Sequence, residues 1–194
     1  MLVEEMAASP QDIPRGPITR AEYEALVQRG ALDDARVELL HGRLVSMSPQ
    51  GKPHPYGVSQ LMTLLIRALG DRARVRGQAP FVAPDESEPE PDVAVVPPGD
   101  YLDSHPARAW LIVEVAESSL AHDRSKARLY AGAGVPEYWI VDLSQQIVDV
   151  YRDPGSDGYS TVSHRRRDES LQLLTFPDVV LQVADVLPPL RGRS

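Results

Sequence analysis

The spacing of apolar residues along the chain predicts three helices. Across residues 56–69 apolar side chains recur every three or four positions, which is the period of one helix face. A second helix is expected over residues 118–133, starting at one of two serines and ending where residues 134–136 (Gly-Val-Pro) interrupt it. Residues 19–22 (Thr-Arg-Ala-Glu) match a capping box at the start of a short helix, and Gly30 ends that helix.

Three short apolar runs predict buried strands. They are DVAVV at residues 92–96, WLIVEVA at residues 110–116 and EYWIVD at residues 137–142. Strands this short and this apolar are typical of a sheet that is covered on both faces. Weaker strand patterns occur in six other places. These are a hairpin at 36–47 that turns at His41-Gly42, a strand at 75–83, segments at 147–152 and 159–165, and two patches between 171 and 183.

The order of these elements indicates an α/β fold, because strands lie both before and after one central helix. We expect a mixed central sheet flanked by helices, with an extra N-terminal helix and β-hairpin and with further β segments at the C-terminus. Residues 48–56 and 85–91, rich in proline and polar residues, are expected to be loops.

The length of 194 residues favours a single domain. Residues 1–17 are polar and contain three prolines, which predicts a flexible arm. Residues 18–187 carry the helix and strand patterns and form the predicted domain. Residues 188–194 are basic and are expected to be a loose tail.

Composition excludes several classes of protein. The chain has no cysteine, which rules out disulfides, thiolate zinc sites and a cysteine nucleophile. Its N-terminal segment carries glutamates and no early basic residue, the wrong charge for a signal peptide, and no apolar run reaches the roughly 20 residues of a membrane span. We therefore expect a cytoplasmic protein.

The net charge of −8 limits the ways in which the chain can meet nucleic acid. Proteins that hold DNA mainly through phosphate contacts are normally basic. The charge argues against a protein that coats DNA, but it is compatible with an enzyme that meets DNA at a small site.

Glu114 is the most informative residue of the sequence. It lies inside the apolar run at 110–116, where a buried carboxylate is costly unless it is paired or bound to a metal. Asp92 poses the same problem at the start of the run at 92–96. Two carboxylates on neighbouring strands can converge on one site, which suits a hard cation such as Mg²⁺.

Lys126 lies in the helix that follows the strand of Glu114. Asp123, Lys126 and Tyr130 are spaced so that they share one face of that helix. A lysine beside two metal-binding acids can orient an attacking water and stabilise charge in the transition state. Each residue also has a purely structural interpretation, as an ion-paired strand acid, a turn residue or a solvated helix pair.

Several motifs together resemble the PD-(D/E)XK nuclease superfamily and, within it, the Uma-type restriction endonucleases. They are Pro91-Asp92, the glutamate of LIVEV, Asp123-x-x-Lys126 and GVPEYWIVD. The segment VELLHGRLVSMSP is similar to the opening hairpin of that family. The resemblance covers about residues 18–187 and implies a restriction-endonuclease-like core.

The resemblance implies a site that binds Mg²⁺ or Mn²⁺. Asp92 matches the first metal-binding acid and Glu114 the second, and the backbone carbonyl of Val115 completes the protein's share of the ligands. The position two residues after Glu114 is Ala116 rather than the lysine of the motif. In many members the lysine comes from the next helix, which Lys126 matches. The implied reaction is DNA cleavage that leaves a 5′-phosphate.

Other residues are candidates for accessory roles. Glu38 matches a recurrent acid of the family's opening hairpin, and His54, expected in the loop before a helix, could approach the site. Tyr130 could donate a hydrogen bond there. The run Arg165, Arg166 and Arg167 is the candidate for weak, salt-dependent contact with DNA. Cutting both strands usually needs two active sites, so a homodimer is expected.

Two further functions remain open from the sequence. The acidic charge favours a nuclease-like fold that has become a binding or regulatory module without catalysis. A metal-dependent hydrolase of small phosphoesters is the other alternative.

Overall fold

A six-stranded sheet forms the centre of the molecule, with one long helix packed on each face. The computed structural model describes residues 16–189. The helices are α1 (Arg20–Gln28), α2 (Pro53–Leu69), α3 (Leu120–Gly132) and α4 (Val183–Val186), and a 3-10 turn at Gly70–Arg72 follows α2. The strands are β1 (Val37–Leu40), β2 (Arg43–Ser46), β3 (Arg74–Gly77), β4 (Val93–Val96), β5 (Leu111–Ala116), β6 (Glu137–Asp142), β7 (Ile147–Gly155), β8 (Gly158–Arg166), β9 (Ser170–Gln172) and β10 (Val180–Gln182).

The central sheet has the strand order β3-β4-β5-β6-β7-β8. Neighbouring strands are antiparallel except β5 and β6, which are parallel because α3 crosses over between them. The predicted α/β fold with a mixed central sheet is therefore confirmed. Val93 lies opposite Val113, so the beginning of β4 lies beside the end of β5. This antiparallel step brings Asp92 close to Glu114.

Side-chain alternation along the strands divides the sheet into two apolar layers. Val115 faces α2 and belongs to the same core cluster as Leu65 of that helix. Ile112 faces α3 and packs in a second cluster with Tyr130. Glu114 lies on the same face as Ile112, as the alternation predicts, so its carboxylate points towards α3.

The hairpin of β1 and β2 packs against the loop that precedes β4. His41 and Gly42 have φ values of 51° and 70°, the left-handed pair that a two-residue type I′ turn requires. The predicted turn at these residues is confirmed. The backbone N–H of Glu88 donates to the carbonyl of Leu39 at 2.7 Å, which ties the hairpin to the body of the domain. Glu38 of β1 is thereby held 1% exposed inside the protein.

The ends of α1 and α3 agree with the sequence patterns. The Thr19 hydroxyl accepts the N–H of Glu22, and the Glu22 carboxylate accepts the N–H of Thr19 at 2.7 Å, so the capping box is present. Gly30 adopts φ 70° just after α1, the left-handed conformation that ends many helices. The α3 helix starts after Ser119, one of the two predicted serines.

Two predicted boundaries are wrong. The α2 helix begins at Pro53, three residues earlier than predicted, because proline is well suited to the first turn, where its missing N–H is not needed. His54 is therefore a helix residue and not a loop residue. The predicted strand at 75–83 ends at Gly77, because Gln78 turns into the left-handed region at φ 46° and donates its N–H to the Asp92 carbonyl.

The predicted arm and tail fall mostly outside the described residues, and the division at residues 18 and 187 stays a prediction. Within residues 16–189 no helix combines the length and the apolar character that crossing a bilayer would need.

The α2 helix covers the part of one sheet face that β3, β4 and β5 form. Leu65 is fully buried, whereas its neighbour Ile66 is 51% exposed. Leu65→Ala should lower the free energy of unfolding by about 2–5 kcal/mol, since it removes buried methyl groups and leaves a cavity. Ile66→Ala is the matched control and should change it by less than about 0.5 kcal/mol. Urea denaturation followed by circular dichroism measures both, and equal losses would contradict the assigned packing face.

Candidate active site

The predicted acids and the predicted lysine meet at the edge where β4 begins and β5 ends. Asp92 comes directly before β4, Glu114 lies near the end of β5, and Lys126 reaches in from α3. All three are buried, with exposures of 8%, 4% and 5%. The fold explains this convergence: the antiparallel β4–β5 pair aligns the two acids, and the crossover helix α3 lies over the same face.

Glu114 is held by three hydrogen bonds. Its Oε1 accepts from Lys126 Nζ at 3.1 Å and from the hydroxyl of Tyr130 at 2.9 Å. Its Oε2 accepts the backbone N–H of Asp92 at 3.3 Å, which links the two acids directly. Tyr130 is fully buried, and its hydroxyl donates to Glu114. The structure therefore places this accessory candidate at the site.

Asp92 is oriented by a strand and a helix. Its Oδ2 accepts the backbone N–H of Val115 at 2.8 Å and lies 2.9 Å from His54 Nε2. The second oxygen, Oδ1, forms no hydrogen bond within residues 16–189. His54 is 6% exposed, and its buried Nδ1 has no hydrogen-bond partner in the described part of the chain. The structure therefore brings His54 to the site through the first turn of α2.

Lys126 bridges two carboxylates that come from distant parts of the chain. Its Nζ lies 2.9 Å from the carboxylate of Glu38 and 3.1 Å from that of Glu114. Glu38 also accepts from His122 at 3.0 Å and from the backbone N–H of Glu90 at 3.2 Å. The N-terminal hairpin thus supplies a second counter-ion for the lysine.

The ionisation of these groups follows from burial and from their mutual charges. Burial raises the pKa of Glu114, with Lys126 opposing the rise and the charges of Asp92 and Asp123 adding to it. Burial would lower the pKa of Lys126, but the charges of Glu114 and Glu38 outweigh it and raise the pKa above its ordinary value. Burial also opposes ionisation of Glu38, yet the hydrogen bond from His122 and the charge of Lys126 lower the pKa of that acid. We conclude that Lys126 is charged.

A pocket of about 60 Å³ opens over these groups, which is room for an ion and a water molecule. Its walls come from the start of β4, the end of β5, α3, and a loop that follows the hairpin. The lining includes Met47, Ser48, Pro49, Gln50, His54, Glu90, Asp92, Glu114, Glu117, His122, Asp123 and Lys126.

Three features of this pocket were not assigned from the sequence. Asp123 is 4% exposed and accepts from the Ser119 hydroxyl at 2.6 Å, so it is a further buried acid at the site. His122 could have been found, because it lies one helical turn before Lys126. The loop over the pocket carries no sequence signal of its position, which depends on where the hairpin docks.

The three predicted DNA-contacting arginines do not gather beside the pocket. Arg165 lies opposite Val148, whose side chain packs on the α2 face, the face opposite Glu114. Arg165 lies 3.7 Å from Glu169. Arg167 donates to Gln146 at 2.7 Å and also to the carbonyl of Pro188. Because side chains alternate along β8, Arg165 and Arg166 point to opposite faces of the sheet.

The oxygen atoms at the site fit a hard divalent cation. Asp92 Oδ1 accepts no hydrogen bond from the described residues, and the N–H and C=O of one strand residue point to the same edge, so the Val115 carbonyl lies on the Asp92 side. Within residues 16–189 no group of three acidic or histidine side chains has the geometry of a metal cluster. Mg²⁺ is commonly bound by only one or two carboxylates, with water and phosphate completing its shell, so this donor set suffices.

Comparison with known proteins agrees with the fold. The crystal structure of a putative nuclease belonging to DUF820 from Anabaena variabilis superposes with a TM-score of 0.68 at 18% identity, covering 88% of this chain and 97% of that chain. No curated protein matches this sequence. The sequence model of the Uma2 family, described as putative restriction endonuclease, matches residues 20–184. The resemblance inferred from the motifs is confirmed: the chain belongs to the Uma2 family of putative restriction endonucleases.

Proposed function

We propose that this protein is a divalent-metal-dependent DNA endonuclease. One observation carries the proposal: two buried acids, linked through the Asp92 N–H and Glu114 Oε2, share a pocket with a lysine that contacts one of them. A structural ion pair between Lys126 and Glu114 would not need Asp92, which lines the same pocket. The membership in a family of putative restriction endonucleases agrees with this reading.

Asp92, Glu114 and the Val115 carbonyl would hold Mg²⁺ or Mn²⁺. The ion supplies Lewis-acid polarisation of the scissile phosphate and a lowered pKa for a bound water. The protein's own residues set the geometry. The Val115 N–H and His54 fix one oxygen of Asp92, and the other has no hydrogen-bond partner among residues 16–189.

Lys126 orients the attacking water for in-line displacement in this proposal. Its ammonium has three donor hydrogens, and Glu38 and Glu114 each accept one. The third is available to a water or to a phosphate oxygen. Because Glu38 and Glu114 both hold the ammonium in place, the lysine is positioned before the substrate arrives, which is the condition for strong electrostatic catalysis.

DNA is the proposed partner, bound weakly and with strong dependence on salt. Because the protein as a whole carries a net charge of −8, only local basic groups can contact the phosphates. Arg165, Arg166 and Arg167 stay candidates for a part of this contact. A homodimer is proposed as the cutting form, because one active site cleaves one strand.

Cleavage of supercoiled plasmid tests the function. The wild-type protein should nick and linearise the plasmid with Mg²⁺ or Mn²⁺ and should lose this activity in EDTA. Asp92→Asn should abolish cleavage, and Lys126→Met should reduce it by about 10²-fold or more, since it removes a transition-state donor. Arg128→Met, an exposed cation on α3, is the control and should cut normally.

The contrary outcomes separate the alternatives. Binding of plasmid without cleavage under any of these metals would assign a nuclease-like binding module. Hydrolysis of bis-p-nitrophenyl phosphate without plasmid cleavage would assign a small-phosphoester hydrolase. Normal cutting by Lys126→Met would show that the lysine has only a structural role.

Calorimetric titration separates metal capture from chemistry. Glu114→Gln should lose most of the Mn²⁺ binding that the wild type shows, because it removes a charged ligand. Lys126→Met should bind Mn²⁺ at least as well as wild type, because the ammonium repels a cation. Equal binding by wild type and Glu114→Gln would contradict a metal site shared by Asp92 and Glu114.

Lys126 should also affect stability, because it neutralises two buried acids. Lys126→Met leaves Glu38 and Glu114 together without a counter-ion, and breaking a buried pair in this way costs about 3–5 kcal/mol. The deficit should be smaller at pH 5 than at pH 8: Lys126 helps to hold the pKa of Glu38 low, so without Lys126 burial raises that pKa, and protonation of Glu38 at low pH then removes the uncompensated charge. Thermal melts of Lys126→Met and Arg128→Met in EDTA at both pH values measure the difference. A deficit that does not vary with pH would contradict this electrostatic account.

Salt dependence tests the predicted DNA contact. If about four phosphates are neutralised, the slope of log affinity against log salt should be about −3.6. Fluorescence anisotropy of a labelled duplex in Ca²⁺ measures this slope. Replacing Arg165, Arg166 and Arg167 together by Gln should flatten it if the run lies on the DNA path, and an unchanged slope would place the binding face elsewhere.

A further inference from the structure

A second cavity lies next to the catalytic pocket, around the edge of the sheet. It encloses about 610 Å³, a size typical of sites for small organic ligands. Its walls come from the start of α2, from Glu117 after β5, from the turn between β6 and β7, and from Pro188 and Pro189. Tyr56, Lys52, Leu143, Ser144 and Gln146 contribute to its lining. None of these residues has a role in the site described above.

Glu117 connects the two spaces, because its side chain lines both of them. The loop over the catalytic pocket lies directly on Glu117, so closely that a Cβ at Gly51 would overlap the carboxylate. Residues 48–50 of this loop line the catalytic pocket, and Lys52 lines the second cavity. The catalytic pocket and the second cavity are therefore neighbours that share Glu117 as a wall.

The chemistry of the lining suits a nucleobase. Tyr56 is an aromatic residue with 43% of its surface exposed, which is unusual for a side chain of this size. Leu143 supplies an apolar wall, and the Ser144 hydroxyl, which donates to Asp142, can still accept a hydrogen bond from the edge of a base. Lys52 supplies a cation for the adjoining phosphate.

The net charge gives a second reason to expect base contacts. An acidic protein gains little affinity from the phosphate backbone, so binding must draw on interactions that do not depend on net charge. Stacking of a base on an aromatic ring is such an interaction, and it requires a base that is not paired inside a duplex.

We propose that the second cavity receives an unpaired base of the cleaved strand, stacked on Tyr56, next to the phosphate that is cut. The inference rests on the proposed nuclease function and extends it to a substrate class. On this proposal, DNA with an unpaired nucleotide at the cleavage position, in a single strand, at a bulge or at a mismatch, is bound and cut in preference to a fully paired duplex.

The test uses oligonucleotides that carry the fluorescent base 2-aminopurine. In Ca²⁺ the full-length wild-type protein should quench 2-aminopurine in a single strand and in a bulged duplex, but much less in a fully paired duplex. Tyr56→Leu keeps the apolar bulk but loses the ring, and it should weaken binding of the single strand by roughly 5- to 150-fold. Tyr56→Phe keeps the ring and should bind like wild type, and Ile66→Ala is the control for a change on the exposed face of the same helix.

Each contrary result has one meaning. Equal quenching by wild type and Tyr56→Leu, or equal affinity for paired and unpaired DNA, would overturn the inference. A Tyr56→Leu effect confined to the oligomeric state in light scattering would assign the cavity to a second copy of the chain and would also overturn it. Stacking by a wild-type protein that cuts no DNA with Mg²⁺ or Mn²⁺ would support the cavity assignment and refute the nuclease function.

Discussion

A charged lysine sealed between two carboxylates is the interaction on which the candidate site depends. Burying Lys126 is costly, and the cost is offset only because Glu38 and Glu114 both lie within hydrogen-bond distance. The position of the ammonium is therefore specified from two directions, by the end of β5 and by the hairpin. Removing either acid would leave Lys126 with one counter-ion. It would also change the net charge around the acid that remains.

The rest of the fold serves this arrangement through two simple constraints. Antiparallel pairing of β4 with β5 brings the residue before one strand beside the end of the other, so Asp92 meets Glu114 without a special loop. The parallel pairing of β5 with β6 requires a crossover, and α3 supplies it on the face where Glu114 points. The same helix then carries Lys126 and Tyr130, which both donate to Glu114.

Predictions from the sequence were correct where the pattern involved only residues that are close together in the chain. A carboxylate in an apolar run identified Glu114, helical spacing placed Lys126 and Tyr130 on one face, and the turn at His41-Gly42 followed from residue type. Strand alternation would also have shown that Arg165 and its neighbours point to opposite faces, although the run of like charges obscured this. The start of α2 was misplaced, because its prolines suit a first helical turn as well as a loop.

What escaped the sequence depends on contacts between distant segments. The positions of Glu117 and of the loop at 48–50 follow from how the hairpin docks, which no short window reveals. The same docking has a consequence for synthesis of the protein. Glu38 meets Lys126 across 88 positions of the chain, so a growing chain has no complete acid–lysine set until α3 has formed. Because α3 ends at Gly132, this acid–lysine set can form only after about two thirds of the chain has been made.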